Sequence, residues 1–221
     1  AFARRARLNT FALAECLENR GEFLPALEHD IKAICAETSW LYPAHDKKLG
    51  NFHGTSVDID LGSSRLGWEM ATLDYLLGDK LSKATRELIH DNLQRRIFTP
   101  YRDMIEDRRG ENGWLRVRNN WNAVCHAGVV GAALATLDSK NDRALFIAAA
   151  QYYLPNFING FGADGYCSEG LGYWNYGFGH FIMLTETVRQ ATGGHTDFLE
   201  DPKAGPAALF GRRDEMINGI Y

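Results

Sequence analysis

The chain is 221 residues long, 45% hydrophobic and 24% charged, with a formal net charge of -4. That balance is globular rather than disordered, and the length allows a substantial core. The acidic balance argues against the concentrated basic face that general nucleic-acid binding needs, and no run approaches the roughly 18 apolar residues of a membrane span, so neither nucleic acid nor a membrane is an expected partner.

Apolar spacing is helical almost throughout. Leu8, Phe11, Leu13, Ala14 and Leu17 outline a first helix, stopped by Asn19-Arg20-Gly21. Phe23, Leu24, Leu27, Ile31, Ile34 and Cys35 outline a second, with Pro25 tolerable in its first turn. The loop that follows carries Trp40, Tyr42-Pro43 and Gly50-Asn51-Phe52-His53-Gly54, and is too aromatic for a mere linker. A third helix is predicted from about Ile59 to Leu77, ending at Gly78-Asp79. A fourth starts at the N-cap Ser82 and runs to Thr99-Pro100, with a further helical piece over Tyr101 to Glu106. After a loop, a helix spans about Trp121 to Leu137, and Ser139 with Asp142 resembles a capping box for the next, through Phe157. The Gly-rich stretch Gly160 to Gly172 precedes a helix from about Tyr173 to Ala191; a turn-rich tail leads to a short final helix.

Period-two alternation is nearly absent, so the fold class is all-α. Helices of this length suggest repeated hairpins, and a bundle, a solenoid or a closed α/α toroid would satisfy them equally. The arginines Arg4, Arg5 and Arg7 and the pairs Arg95/Arg96, Arg108/Arg109 and Arg212/Arg213 fit solvated helix ends, with contact to an anionic glycan as the alternative. Cys16, Cys35, Cys125 and Cys167 show neither CxxC pairing nor zinc-finger spacing. The chain opens without Met or a signal peptide and reads as a mature or excised segment.

Two segments carry chemistry. In Asn119-Asn120-Trp121-Asn122-Ala123-Val124-Cys125-His126, three amides and an imidazole fall in the first turns of a helix, with Asn122 and His126 on one face. A capping Asn and a core histidine would account for them without function. In Glu169-Gly170-Leu171-Gly172-Tyr173-Trp174-Asn175-Tyr176-Gly177-Phe178-Gly179-His180, the residues Tyr173, Tyr176 and His180 form a stripe whose polar atoms need partners when buried. The interspersed glycines make room for a ligand or for a close helix.

Together the two segments resemble the paired signatures of the heparinase II/III-like polysaccharide lyases and their oligoalginate lyase relatives. Trp40 to Asp46 and the Asp60 to Leu77 helix are also similar to that family's N-terminal toroid. The resemblance implies one (α/α) toroid domain over residues 1–221, incomplete and excised from a longer protein with a C-terminal β-sandwich. It implies β-elimination on an acidic polysaccharide or oligosaccharide of alginate or heparin type, without a cofactor, in the periplasm or outside the cell. It assigns Tyr173 as catalytic acid, with the base role also open to it, and Tyr176 as runner-up. Asn120 and His126 are the groups expected to neutralise the substrate carboxylate. Asn122, Glu169, His180, Trp121, Trp174 and His53 are expected to bind or orient substrate. A further catalytic His or Tyr is expected from the C-terminal domain of the parent chain.

The residue types suit the reaction. The proton at C5 of a uronate is weakly acidic because its carboxylate resists a second negative charge, so amide or imidazole donors must neutralise it. One group then takes the proton and another gives one to the leaving oxygen. Tyrosine can serve, although a phenol with a reference pKa near 10 needs positive or donor neighbours to ionise. Two other readings stay open. A toroid glycoside hydrolase would use a carboxylate pair from Asp58, Asp60, Asp164 and Glu169. A non-catalytic glycan-binding domain would use Trp40, Trp114, Trp121 and Trp174 as stacking platforms. His45, Asp46 and His53 are too irregularly spaced to predict a metal site.

Overall fold

The computed structural model describes residues 2–213, and among these it is all-α, with one isolated antiparallel bridge between Phe161 and Cys167. Helix α1 (Phe2–Glu18) stops where Asn19 takes a left-handed φ of 54°, and α2 (Leu24–Cys35) begins with Pro25 in its first turn. The N-terminal arginines are spent holding this pair together. Arg7 forks onto Asp30 through Nε at 3.0 Å and a second nitrogen at 2.9 Å, and Arg5 reaches Glu37 at 2.6 Å and the Trp40 carbonyl at 3.0 Å.

Helix α3 (Leu61–Leu77) starts two residues later than its apolar spacing suggests, because Asp60 and Ser63 form a capping box there. Helix α4 (Lys83–Leu93) is capped by Ser82 as expected. The break expected at Thr99-Pro100 does not occur. A π-helical turn over Gln94–Phe98 leads straight into α5 (Thr99–Ile105). The Thr99 N–H donates to the Gln94 carbonyl, and the widened turn lets the chain continue past a residue with no N–H to give. Arg96, in that turn, is buried and caps the C-terminal end of α2 through the carbonyls of Cys35, Glu37 and Thr38 at 3.5, 2.5 and 3.1 Å. Arg109 binds Asp58 and the Val57 carbonyl, both at 2.7 Å, and Arg108 binds Asp103 and Glu106. These arginines tie elements together, and Arg213 lies at the edge of the described residues.

Helix α6 (Asn120–Thr136) is buried on every side from Asn122 to Ala133, as expected of a helix apolar all round. It lies between α3 and α9 (Leu171–Ala191). Its two interior glycines set the approach to α3: a Cβ on Gly128 would sit 2.4 Å from the Ser64 carbonyl oxygen, and one on Gly131 would sit 2.4 Å from the Trp68 ring. Since 128 pairs with 64 and 131 with 68, the two helices run parallel. On the other side, a Cβ on Gly177 would meet Asn120 at 2.9 Å.

Backbone facing backbone cannot give way as a flexible side chain can. Gly128→Ala is therefore expected to cost about 1–3 kcal/mol in urea unfolding, despite its better helix propensity. Gly179→Ala, in open space on α9, is expected to stabilise by up to about 1 kcal/mol. Equal effects at the two sites would contradict the close α3–α6 contact.

Helices α7 (Lys140–Tyr153) and α8 (Pro155–Ile158) return the chain to the Gly-rich loop, with Ser139 accepting from the Asp142 N–H at the start of α7. The tail adds α10 (Ala204–Ala208) and α11 (Phe210–Arg213). Trp174 of α9 fastens this tail. Its indole donates to the Ala207 carbonyl at 2.7 Å and packs edge-on against Phe210.

Candidate active site

The polar end of the α3–α6–α9 layer gathers most of the residues singled out by sequence. Asn119 caps α6 by accepting from the Trp121 N–H, so the capping role falls to it and not to Asn120. Asn120 is 3% exposed and is gripped by Glu169: its backbone N–H donates to Oε2 at 2.8 Å and its Nδ2 to Oε1 at 2.7 Å. One carboxylate thus satisfies a free N–H of the α6 start and fixes the amide, with one Nδ2 hydrogen uncommitted. Glu169 orients this end rather than presenting its oxygens. Gly170 follows with φ 86°, a left-handed turn that swings the chain directly into α9.

Tyr173, in the first turn of α9, is 58% exposed, and its hydroxyl makes no hydrogen bond with a described residue. Tyr176, one turn on, is half-buried. Burial pushes its phenol up to about 12, Tyr42 adds to this, and the Arg65 guanidinium opposes it. At neutral pH Tyr176 is accordingly an O–H donor. His180 is half-buried, donates from Nδ1 to the Tyr176 carbonyl at 2.7 Å, and is held below the ordinary histidine range chiefly by burial.

His126 and Asn122 are not at this surface. Both are 0% exposed. The Asn122 amide donates to the Trp114, Leu115 and Tyr153 carbonyls, the shortest at 2.8 Å. His126 stands among the rings of Tyr101, Trp114 and Tyr153, with centroids 5.0–6.0 Å away. Its Nδ1 lies 2.7 Å from the Asn122 carbonyl, which can only accept, so Nδ1 carries the hydrogen and Nε2 is the unprotonated, unpartnered nitrogen. Burial lowers its pKa to about 4. A neutral imidazole in this tautomer, behind three rings, has no proton to donate to a substrate carboxylate. Of the two candidates for neutralising the substrate carboxylate, Asn120 stands at the α6 start beside Glu169, whereas His126 is enclosed within the core.

The remaining sequence candidates divide. Trp174 is committed to the tail, and His53 sits on an exposed loop against the Phe52 ring at 5.2 Å. Trp40 is 1% exposed and its indole donates to the Ile34 carbonyl. Trp121 alone among them is half-buried at the wall of a cavity of about 610 Å³, to which the otherwise buried Trp114 also contributes.

That cavity brings in residues to which the lyase resemblance assigned no role. His45, on a single 3₁₀ turn over Pro43–His45, packs its ring 4.5 Å from Trp121 and 5.6 Å from Tyr42. Its Nδ1 lies 2.6 Å from Asp60 Oδ2, the carboxylate that also accepts from the Tyr42 N–H at 2.9 Å and caps α3. Lys47 and Lys48 stand exposed on the same wall. The loop is stiffened from beneath: buried Asp46 accepts from the N–H groups of Asn51 and Phe52, and Asn51 binds Asp58. The sequence signal for this wall was the aromatic density of Trp40 to His45. Among the described residues no group of three His, Cys, Asp or Glu side chains gathers as a metal site, and no helix is long and apolar enough to cross a membrane.

By fold and site, then, this is an all-α protein with a polar, aromatic-walled cavity near the starts of α3 and α6. No family model and no curated protein sequence matches the chain.

Proposed function

We propose that the chain carries part of the active site of a heparinase II/III-like lyase, which cleaves uronic-acid-containing glycans by β-elimination. The observation that carries the reading is the Asn120–Glu169 clasp, which ties the start of α6 to the turn that launches Tyr173. Tyr173 gives the proton to the leaving oxygen, Tyr176 contributes a second hydroxyl donor, and the uncommitted Nδ2 hydrogen of Asn120 helps neutralise the carboxylate. Trp121 supplies a sugar-stacking face.

The same reading makes the parallel α3 and α6 inner helices of an α/α toroid. It also places a further catalytic group on a C-terminal domain of the parent chain, and the protein in the periplasm or outside the cell. The hydrolase alternative is weakened because its carboxylates are engaged: Asp58 with Arg109, Asp60 at the α3 cap, Asp164 with the Tyr166 N–H, and Glu169 at the α6 start.

The test is to incubate the longest protein carrying this chain with alginate, heparan sulfate, chondroitin and hyaluronan, and to follow the absorbance of unsaturated uronate. Absorbance growing with one polymer supports the lyase reading. Reducing ends without absorbance would establish hydrolysis, and binding without either would establish a lectin-like domain.

A further inference from the structure

Among the described residues, His45 is a cavity-lining imidazole that the proposed roles leave unused. A carboxylate accepts and cannot donate, so the 2.6 Å contact with Asp60 puts a ring hydrogen on Nδ1, and in the neutral ring Nε2 is then the bare acceptor. Nε2 makes no hydrogen bond with a described residue, on a ring that lines the 610 Å³ cavity. Asp60 is 2% exposed; its carboxylate accepts from two donors besides His45, the N–H groups of Tyr42 and Ser63, and its own backbone N–H donates to Ser63 Oγ. The ring is further held between Tyr42 and Trp121. An acceptor nitrogen aimed by a buried carboxylate is the arrangement that general-base catalysis needs, because the carboxylate also stabilises the imidazolium once the proton arrives. The other charged groups on that wall do not compete for the ring. Asp46 is turned to loop N–H groups, Asp58 to Arg109, and Lys47 and Lys48 are exposed and suited to an anionic sugar.

We infer that His45, positioned by Asp60, is the catalytic base of this cavity and takes the C5 proton of a uronate residue stacked on Trp121. This rests on the lyase reading above. His45 Nε2 forms the new N–H bond, and the C5–H electron pair becomes the C4=C5 double bond. The C4–O bond breaks with its pair on oxygen, and that oxygen takes the Tyr173 proton. The imidazolium and phenolate then return to their starting states by exchanging one proton through solvent.

Two measurements test it separately from the lyase reading. The first needs no turnover: nitrogen-15 imidazole spectra of the wild-type protein, with the His45 signal assigned by its loss in H45Q. The expected result is the Nδ1–H tautomer, lost in D60N, which keeps an oxygen to cap α3, and a shift of the His45 signal on adding a saturated alginate or heparin tetrasaccharide. An Nε2–H tautomer, or a His45 signal that neither tetrasaccharide moves, overturns the proposal whatever the enzyme cleaves. The second uses whichever polymer the protein depolymerises. H45Q and H45N are expected to lower kcat by about 10²–10⁴-fold with KM nearly unchanged, and D60N to lower it less. Wild-type kcat in either folded His45 variant overturns the base role. If none of the polymers is cleaved, the lyase reading falls and the base role with it, while the spectra still decide whether the Asp60–His45 dyad exists.

Discussion

Tyr173→Phe is expected to lower the rate of unsaturated-product formation by about 10²–10⁴-fold while leaving substrate affinity and the unfolding midpoint nearly unchanged. The combination matters more than the loss. The hydroxyl is exposed and bonded to no described residue, so its removal uncovers no buried polar group and costs no packing. A rate loss can then only reflect the missing proton. Tyr176→Phe provides the contrast: its phenol, pushed up to about 12, is a donor in a half-buried setting, and a smaller rate loss is expected. The measurement is initial rates with circular dichroism on the same samples. If Tyr173→Phe retains full activity while substitutions of the acidic residues abolish it, the lyase mechanism is wrong and hydrolysis takes its place.

The second large effect concerns stability in acid. His126 has a folded-state pKa of about 4 against roughly 6.5 in the unfolded chain. Above pH 6.5 it is neutral in both states and the fold keeps its full stability. As pH falls from 6.5 towards 4, the unfolded chain takes up a proton that the buried ring refuses, so unfolding becomes easier. Between pH 7 and pH 4.5 this linkage is expected to remove roughly 2–3 kcal/mol. In His126→Leu that portion of the pH dependence should vanish, although the variant loses the bond to the Asn122 carbonyl and starts from lower stability. Carboxylates held below their ordinary range, such as Asp74 beside Arg86 and His90, also weaken the fold in acid, but they do so in both proteins. Urea unfolding at the two pH values, compared between wild type and variant, isolates the histidine. Identical pH dependence in the two would show that position 126 accepts a proton in the folded state.

The same residue shows where sequence reading stops. Asn122 and His126 share a helical face at i,i+4, and the sequence predicts that much correctly. Whether that face meets water depends on what packs on it, and Tyr101, Trp114 and Tyr153 come from three other elements. The pairing of Asn120 with Glu169 has the same character. Forty-nine residues separate them, and no local periodicity relates an amide at one helix start to a carboxylate before another. His45 is the converse case, a histidine at unpromising spacing in a loop, made notable only by an aspartate fifteen residues on.

By itself the sequence determined the all-α class and most helix limits, because these follow from 3.6-residue periodicity, the Ser82 and Ser139 caps, and Pro25 at a first turn, all of which act within a few residues. It failed locally at Thr99-Pro100, where a π turn absorbed the proline, since the register of one helix is settled by what its side chains, Arg96 above all, reach in another. Only the tertiary structure decided which polar residues are solvent-facing and which are structural. Burial and the exclusion of water are properties of several segments packed together, and so are the tautomer of His126 and the aim of His45.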